Sequence, residues 1–179
     1  GSVMLKYGEP IVLATVCMSR DKQQGLGFFN LTVDYVERFY ATGKISGSKF
    51  VKREGKPSEE AILASRVIDR TLRPLFDQSI RHAVQVIVTV LSLDDNDSVT
   101  MAVNAASLAL SVSNIPWNGP VGSVRIGKYL DDSLVLNAPA SMRTEETPYQ
   151  YDLTVCGKDG NINMIEASAR QIKEDELEK

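Results

Sequence analysis

The stretch PSEEAILASRVIDRTLRPLF at residues 57–76 decides how this chain is read, because it is the longest run with a clear helical period. Pro57 suits a first helical position, Ser58, Glu59 and Glu60 suit a first turn, and no breaker follows until Pro74. At about 100° per residue, Ala64, Ile68, Leu72 and Leu75 gather on one face. Arg66, Arg70 and Arg73 gather on the opposite face. Three guanidinium groups with only Asp69 near them either lie in water or await phosphates.

Working outward, the helix is flanked by segments with strand character. Residues 11–19 and 28–40 are rich in β-branched and aromatic side chains, with a polar turn at 20–27 between them. Residues 41–55 are dominated by glycine, serine and lysine and read as an exposed loop. Beyond the helix, residues 84–93 carry a strand signal. Asp94, Asp95, Asn96 and Asp97 then make a turn that can cap a helix over 101–113, whose Ala and Ser content places it close against a sheet. Turn residues at 118–122 lead into a strand, and 134–136, 151–156 and 162–167 are further strands, the last two joined by a hairpin at 158–161. Residues 171–179 contain helix formers without a completed apolar face. The expected class is α+β, a mixed β-sheet packed with α-helices, in one domain of 179 residues.

Composition narrows the function. With 43% hydrophobic and 24% charged residues the chain suits one globular core. No run approaches the roughly 20 apolar residues of a membrane span and no leader-like segment opens the sequence, so a cytoplasmic location without membrane contact is expected. The two cysteines, Cys17 and Cys156, are expected to be small core residues. A single histidine, His82, and no Gly-x-Ser-x-Gly elbow argue against a hydrolytic triad. The acids Asp94, Asp95 and Asp97, and Asp131 with Asp132, could hold Mg²⁺, but turns attract aspartate for backbone reasons.

The net charge of −3 gives no global attraction for nucleic acid. Locally the balance reverses: residues 38–56 hold six bases, Arg38, Lys44, Lys49, Lys52, Arg53 and Lys56, against the one acid Glu54. Such a window is often only a solvated loop. Here Phe50 stands beside Lys52, Arg53 and Lys56, an aromatic platform next to cations, which suits single-stranded nucleic acid held without much sequence reading.

Several motifs in order identify a family. Residues 28–35 (FFNLTVDY), Glu37-Arg38, residues 50–59 (FVKREGKPSE), residues 66–76 (RVIDRTLRPLF) and residues 115–122 (IPWNGPVG) closely resemble the first of the two ribonuclease PH-like domains of the polynucleotide phosphorylase family. The resemblance covers most of the chain and implies a ribonuclease PH-like domain truncated at both ends. It implies a homotrimeric ring that degrades RNA from the 3′ end, with inorganic phosphate as co-substrate and nucleoside diphosphates as products. Mg²⁺ would serve the whole enzyme without being bound by this domain.

The same resemblance places Phe50, Lys52 and Arg53, with Lys56, at single-stranded RNA in the central channel, and Arg66 and Arg70 at a phosphate site. Val51 and Lys52 depart from the family's Phe-Phe-Arg-Arg loop, which removes one stacking face and one planar fork. The family's catalytic copy carries a Gly-Ser-Ser-Ser-type turn and an Asp-x-Lys set. This chain has Asp97-Ser98-Val99-Thr100 and Asp152-Leu153-Thr154 at those places. A carboxylate at Asp97 repels an incoming phosphate and Thr154 supplies no cation, so no catalytic or metal-binding residue is expected in this copy, and Asp152 is expected to be a strand-end residue. The expected partners are RNA, a second ribonuclease PH-like domain of the same chain, and two further copies in the trimer. The rival readings are a non-catalytic ring subunit of an exosome-like assembly and a self-sufficient ribonuclease PH-type enzyme acting on tRNA ends.

Overall fold

The computed structural model describes residues 1–44, 56–143 and 149–173. Among them the chain forms β1 (Ser2–Lys6), β2 (Ile11–Met18), β3 (Leu31–Glu37), α1 (Glu59–Leu72), β4 (Val84–Ser92), α2 (Ser98–Ser111), β5 (Gly122–Tyr129), β6 (Leu134–Leu136), β7 (Tyr149–Lys158) and β8 (Asn161–Ala169). Short 3-10 turns lie at Phe39–Thr42, Arg73–Leu75 and Ala140–Met142. The α+β expectation holds, with a division the sequence did not reveal: the strands form two four-stranded sheets. One has the order β1-β2-β4-β3 and the other β6-β5-β7-β8. The first is mixed, because β3 and β4 run parallel across the α1 crossover, while the second is antiparallel throughout.

The core follows from a period of two. Val84, Val86, Val88 and Val90 on β4 and Val12, Ala14 and Val16 on β2 are buried, while Gln85, Ile87 and Thr89 between them are only half-buried. Cys17 falls out of phase with this row and is exposed, which corrects its expected place in the core; Cys156, in phase on β7, is fully buried. α2 packs against β1, β2 and β4 of one sheet and β5 of the other. A helix enclosed in this way needs small side chains on most faces, and Ala102, Ala105, Ala106 and Ala109 supply them at 0% exposure. Two of its polar side chains tie it to β5 and the residue before it. Asn104 exchanges two hydrogen bonds with the Ser123 backbone, and Val121 N–H donates to Ser107 Oγ at 3.0 Å.

α1 buries Ala61, Ala64, Val67, Ile68 and Leu72 against β3 and α2. Ser58 is its N-cap and accepts from Ala61 N–H at 3.0 Å. Pro57 therefore precedes the cap, and Pro74 ends the helix by tightening it into the 3-10 turn Arg73–Leu75. Three further departures have local causes. The segment expected as strand over 28–40 pairs with β4 only over Leu31–Glu37, since Phe29 turns into the core and Phe39–Thr42 coils. β1 was not read as a strand, although it pairs with β2 along its whole length. Residues 171–173 are not helical, and the rest of that expected helix lies outside the described residues. The Lys158–Asn161 connection is the expected hairpin: Asp159 and Gly160 both have positive φ, 51° and 77°, as a two-residue primed turn requires.

Candidate functional site

The residues expected to grip RNA divide into two groups. Phe50, Lys52 and Arg53 lie outside the described residues. Lys56 is exposed, two residues ahead of the Ser58 cap, and Arg66 and Arg70 are exposed one helical turn apart on the outer face of α1. Ile62 and Leu63 share that face at 48% and 55% exposure, so the guanidinium groups rise from an aliphatic strip. Arg73 does not join them, which corrects its place in the expected stripe. Its guanidinium binds Asp69 through Nε at 3.0 Å and Nη2 at 2.5 Å, and donates to the carbonyls of Phe29 and Leu31 at 3.3 and 3.2 Å. Arg73 thus ties the end of α1 to the start of β3. The sequence reading missed three exposed aromatic side chains: Phe28, and Phe39 with Tyr40 at the start of the basic segment. They were hidden inside an over-long expected strand.

A second constellation centres on the start of α2. Asp97 is its N-cap, with Oδ1 accepting from Val99 N–H at 3.4 Å. The side chain is only 5% exposed. Two arginines from other elements converge on Oδ1: Arg125 Nη1 of β5 at 3.6 Å and Arg143 Nη2 at 3.9 Å. Arg125 also holds Asp152 of β7 through Nε at 2.8 and 3.1 Å and Nη2 at 2.5 Å. Asp152 therefore stands inside a strand as half of an ion pair, which corrects the strand-end expectation. Burial works against the charge on Arg125, but the hydrogen bonds to Asp152 and the charge of Asp97 outweigh it, and its pKa lies above the ordinary value. Thr154, directly opposite Arg125 in the ladder, is buried and uncharged.

Arg143 is delivered to the cluster by its neighbours. Asp95 accepts from Ser141 N–H at 2.7 Å and from the Ser141 hydroxyl, and the Asp95 carbonyl accepts from Ala140 N–H at 2.6 Å. The two bonds from Ser141, the hydroxyl's first, hold the Asp95 carboxyl below its usual range. Tyr129 O–H donates to the Met142 carbonyl at 3.1 Å. On the other side Tyr35 donates to Ser98 Oγ at 2.9 Å, and burial pushes its phenol up to about 12. The aspartates considered for Mg²⁺ have protein partners: Asp94 holds Asn96, Asp95 holds Ser141, Asp97 faces the two arginines, Asp131 holds Ser133, and Asp132 meets Lys128 and Gln150. Arg125 and Arg143 went unnoticed in the sequence because their partners lie tens of residues away.

The arrangement can hold negative charge at a helix N-terminus beside two guanidinium groups. Thr154, two residues beyond Asp152 on β7, supplies no cation. Among the described residues no group of acids, cysteines or histidine is placed to hold a metal, and no helix is long and apolar enough to cross a membrane.

Residues 1–116 match the family described as 3′ exoribonuclease family, domain 1, the ribonuclease PH family. The chain is 49% identical over 176 residues to the polyribonucleotide nucleotidyltransferase of Caldicellulosiruptor bescii, covering 98% of this chain and 24% of that protein. The protein of the same name from Fervidobacterium nodosum is 46% identical over 178 residues, covering 99% of this chain and 25% of that one. The chain thus spans about a quarter of the length of these relatives. Rice (Oryza sativa) Rrp46 shares the fold, with a TM-score of 0.76 at 16% identity, over 99% of this chain and 78% of that structure.

Proposed function

Because this chain belongs to the ribonuclease PH family of 3′ exoribonucleases, as its domain 1, we propose that it is the RNA-guiding first domain of a polyribonucleotide nucleotidyltransferase. The whole enzyme would be a homotrimeric, cytoplasmic ring with a second ribonuclease PH-like domain in each chain. It would shorten RNA from the 3′ end with phosphate as the attacking group and Mg²⁺ at the second domain. In this copy RNA is bound and not cleaved. The observation that carries the reading is Asp97: the helix start that could receive a phosphate is held by a buried carboxylate already facing Arg125 and Arg143. A second anion brought there would meet like charge in a poorly solvated place.

Lys52, Arg53 and Lys56 hold RNA phosphates, Phe50 stacks on a base, and Arg66 and Arg70 form a second phosphate contact along α1. The exposed positions of Lys56, Arg66 and Arg70 support this reading, as does the exposed Tyr40 within the basic segment. For single strands, each phosphate contact contributes about 0.7 to the slope of log affinity against log salt. The double change Lys52→Ala with Arg53→Ala is therefore expected to weaken oligo(A) binding and flatten that slope by about 1.4. Binding titrations across a salt series measure it. An unchanged slope removes these residues from the RNA path.

A further inference from the structure

The cluster at the start of α2 fits its occupant badly. Asp97 Oδ1 lies 3.6 and 3.9 Å from the two guanidinium groups, beyond a good charge-assisted hydrogen bond. Asp97 Oδ2 is buried without any hydrogen-bond partner, and so is Arg143 Nε. An orphaned acceptor and an orphaned donor within one cluster are costly. They have a common geometric cause: a carboxylate offers two oxygens in a plane, while two forks and a helix N-terminus arriving from three elements suit an anion with oxygens in several directions. A pocket of about 260 Å³ reaches this point from the surface, and its wall includes Lys6, Asn96, Asp97, Asn104, Ser123 and Asn137. Asp97 thus both lines the pocket and faces the two arginines.

We propose that Asp97 is a tethered plug: its carboxylate fills, from within, a site for a tetrahedral oxyanion formed by the α2 N-terminus, Arg125 and Arg143. The side chain supplies the charge the cradle needs, so the fold is kept while inorganic phosphate is shut out. With Asp97 counted, Asp97, Asp152, Arg125 and Arg143 are neutral together. Without its carboxylate the cluster carries one net positive charge next to a helix N-terminus and opens to the pocket. The inference deepens the non-catalytic reading above and rests on it.

The test is phosphate binding by Asp97→Ser, with Asp97→Gly as a second variant, because Ser and Gly are both tolerated as N-caps. Thermal unfolding and calorimetry are run in inorganic phosphate and in chloride at matched ionic strength. Both variants are expected to bind phosphate and to unfold at higher temperature in it than in chloride, while the parent chain does neither. Adding Arg143→Gln to Asp97→Ser should weaken phosphate binding by about tenfold or more, the weight of a charge-assisted hydrogen bond. If a variant folds only when phosphate is present, the anion has replaced the side chain and the proposal stands.

Folded variants indifferent to phosphate overturn the plug, as does a response that survives Arg143→Gln unchanged. Variants unfolded in phosphate and chloride alike overturn it too, since Asp97 would then be a structural cap. The broader reading fails differently, by release of nucleoside diphosphates from RNA by the parent chain.

Discussion

Arg125→Met is expected to destabilise the protein by about 3 kcal/mol, because it leaves the mostly buried Asp152 without its cation and Asp97 with only one of two. Asp152 would lose three hydrogen-bond contacts to the guanidinium and Asp97 one of its two charged neighbours. The side chains of Asp152 and Asp97 are only 13% and 5% exposed, so water cannot take over. The expectation sits at the lower end of the usual range for breaking a buried pair, since Arg125 itself keeps 24% exposure. Methionine fills much of the volume, which separates the charge effect from a cavity. Urea unfolding of parent and variant measures the difference. Adding Asp152→Asn should restore part of the loss, because the remaining group is then uncharged. A loss under about 1 kcal/mol would mean that solvent or Arg143 already satisfies both acids.

Phe76→Ala is expected to cost about 3–5 kcal/mol, the range for an aromatic ring removed from a packed core. Phe76 is 3% exposed and lies between Phe29, at 4.9 Å between ring centroids, and Trp117, at 6.1 Å. These rings join three parts of the chain: the approach to β3, the end of α1 and the approach to β5. Asn118 N–H, donating to the Leu75 carbonyl at 2.7 Å, fixes the same junction. Gly119 is required beside it, since a Cβ there would come within 2.2 Å of the Trp117 ring. The variant should also loosen the Arg73 clamp on Phe29 and Leu31. Denaturant unfolding reads the first effect, and amide exchange at the start of β3 reads the second.

Much of the architecture was legible because it depends on local signals. The acidic first turn of α1, the apolar row Ala64-Ile68-Leu72, the valines of β4 and the Asp-Gly hairpin each state their structure within a few residues, although the cap fell on Ser58 and not ahead of Pro57. The division into two sheets was not legible, because α2 contacts both and only tertiary contact shows it. Cys17 was misplaced because a largely apolar run, broken only by Thr15, hides which face each residue takes. The candidate site was half visible. Asp97 announced itself as an acid at a helix start, and Arg66 and Arg70 as an exposed pair. Arg125 and Arg143 look like any strand and loop arginine until the fold carries them to Asp97, and Arg73 looks like its two neighbours until its carbonyl partners arrive from β3.

The central claim is that this copy of the fold guides RNA and does not cleave it. The most direct measurement is phosphorolysis of a short oligo(A) in Mg²⁺ and phosphate, with this chain and with the full-length gene product side by side. Release of nucleoside diphosphate by the full-length product alone is the predicted result. Release by this chain alone would contradict it, and would mean that neither the Asp97 carboxylate nor the uncharged Thr154 prevents the chemistry.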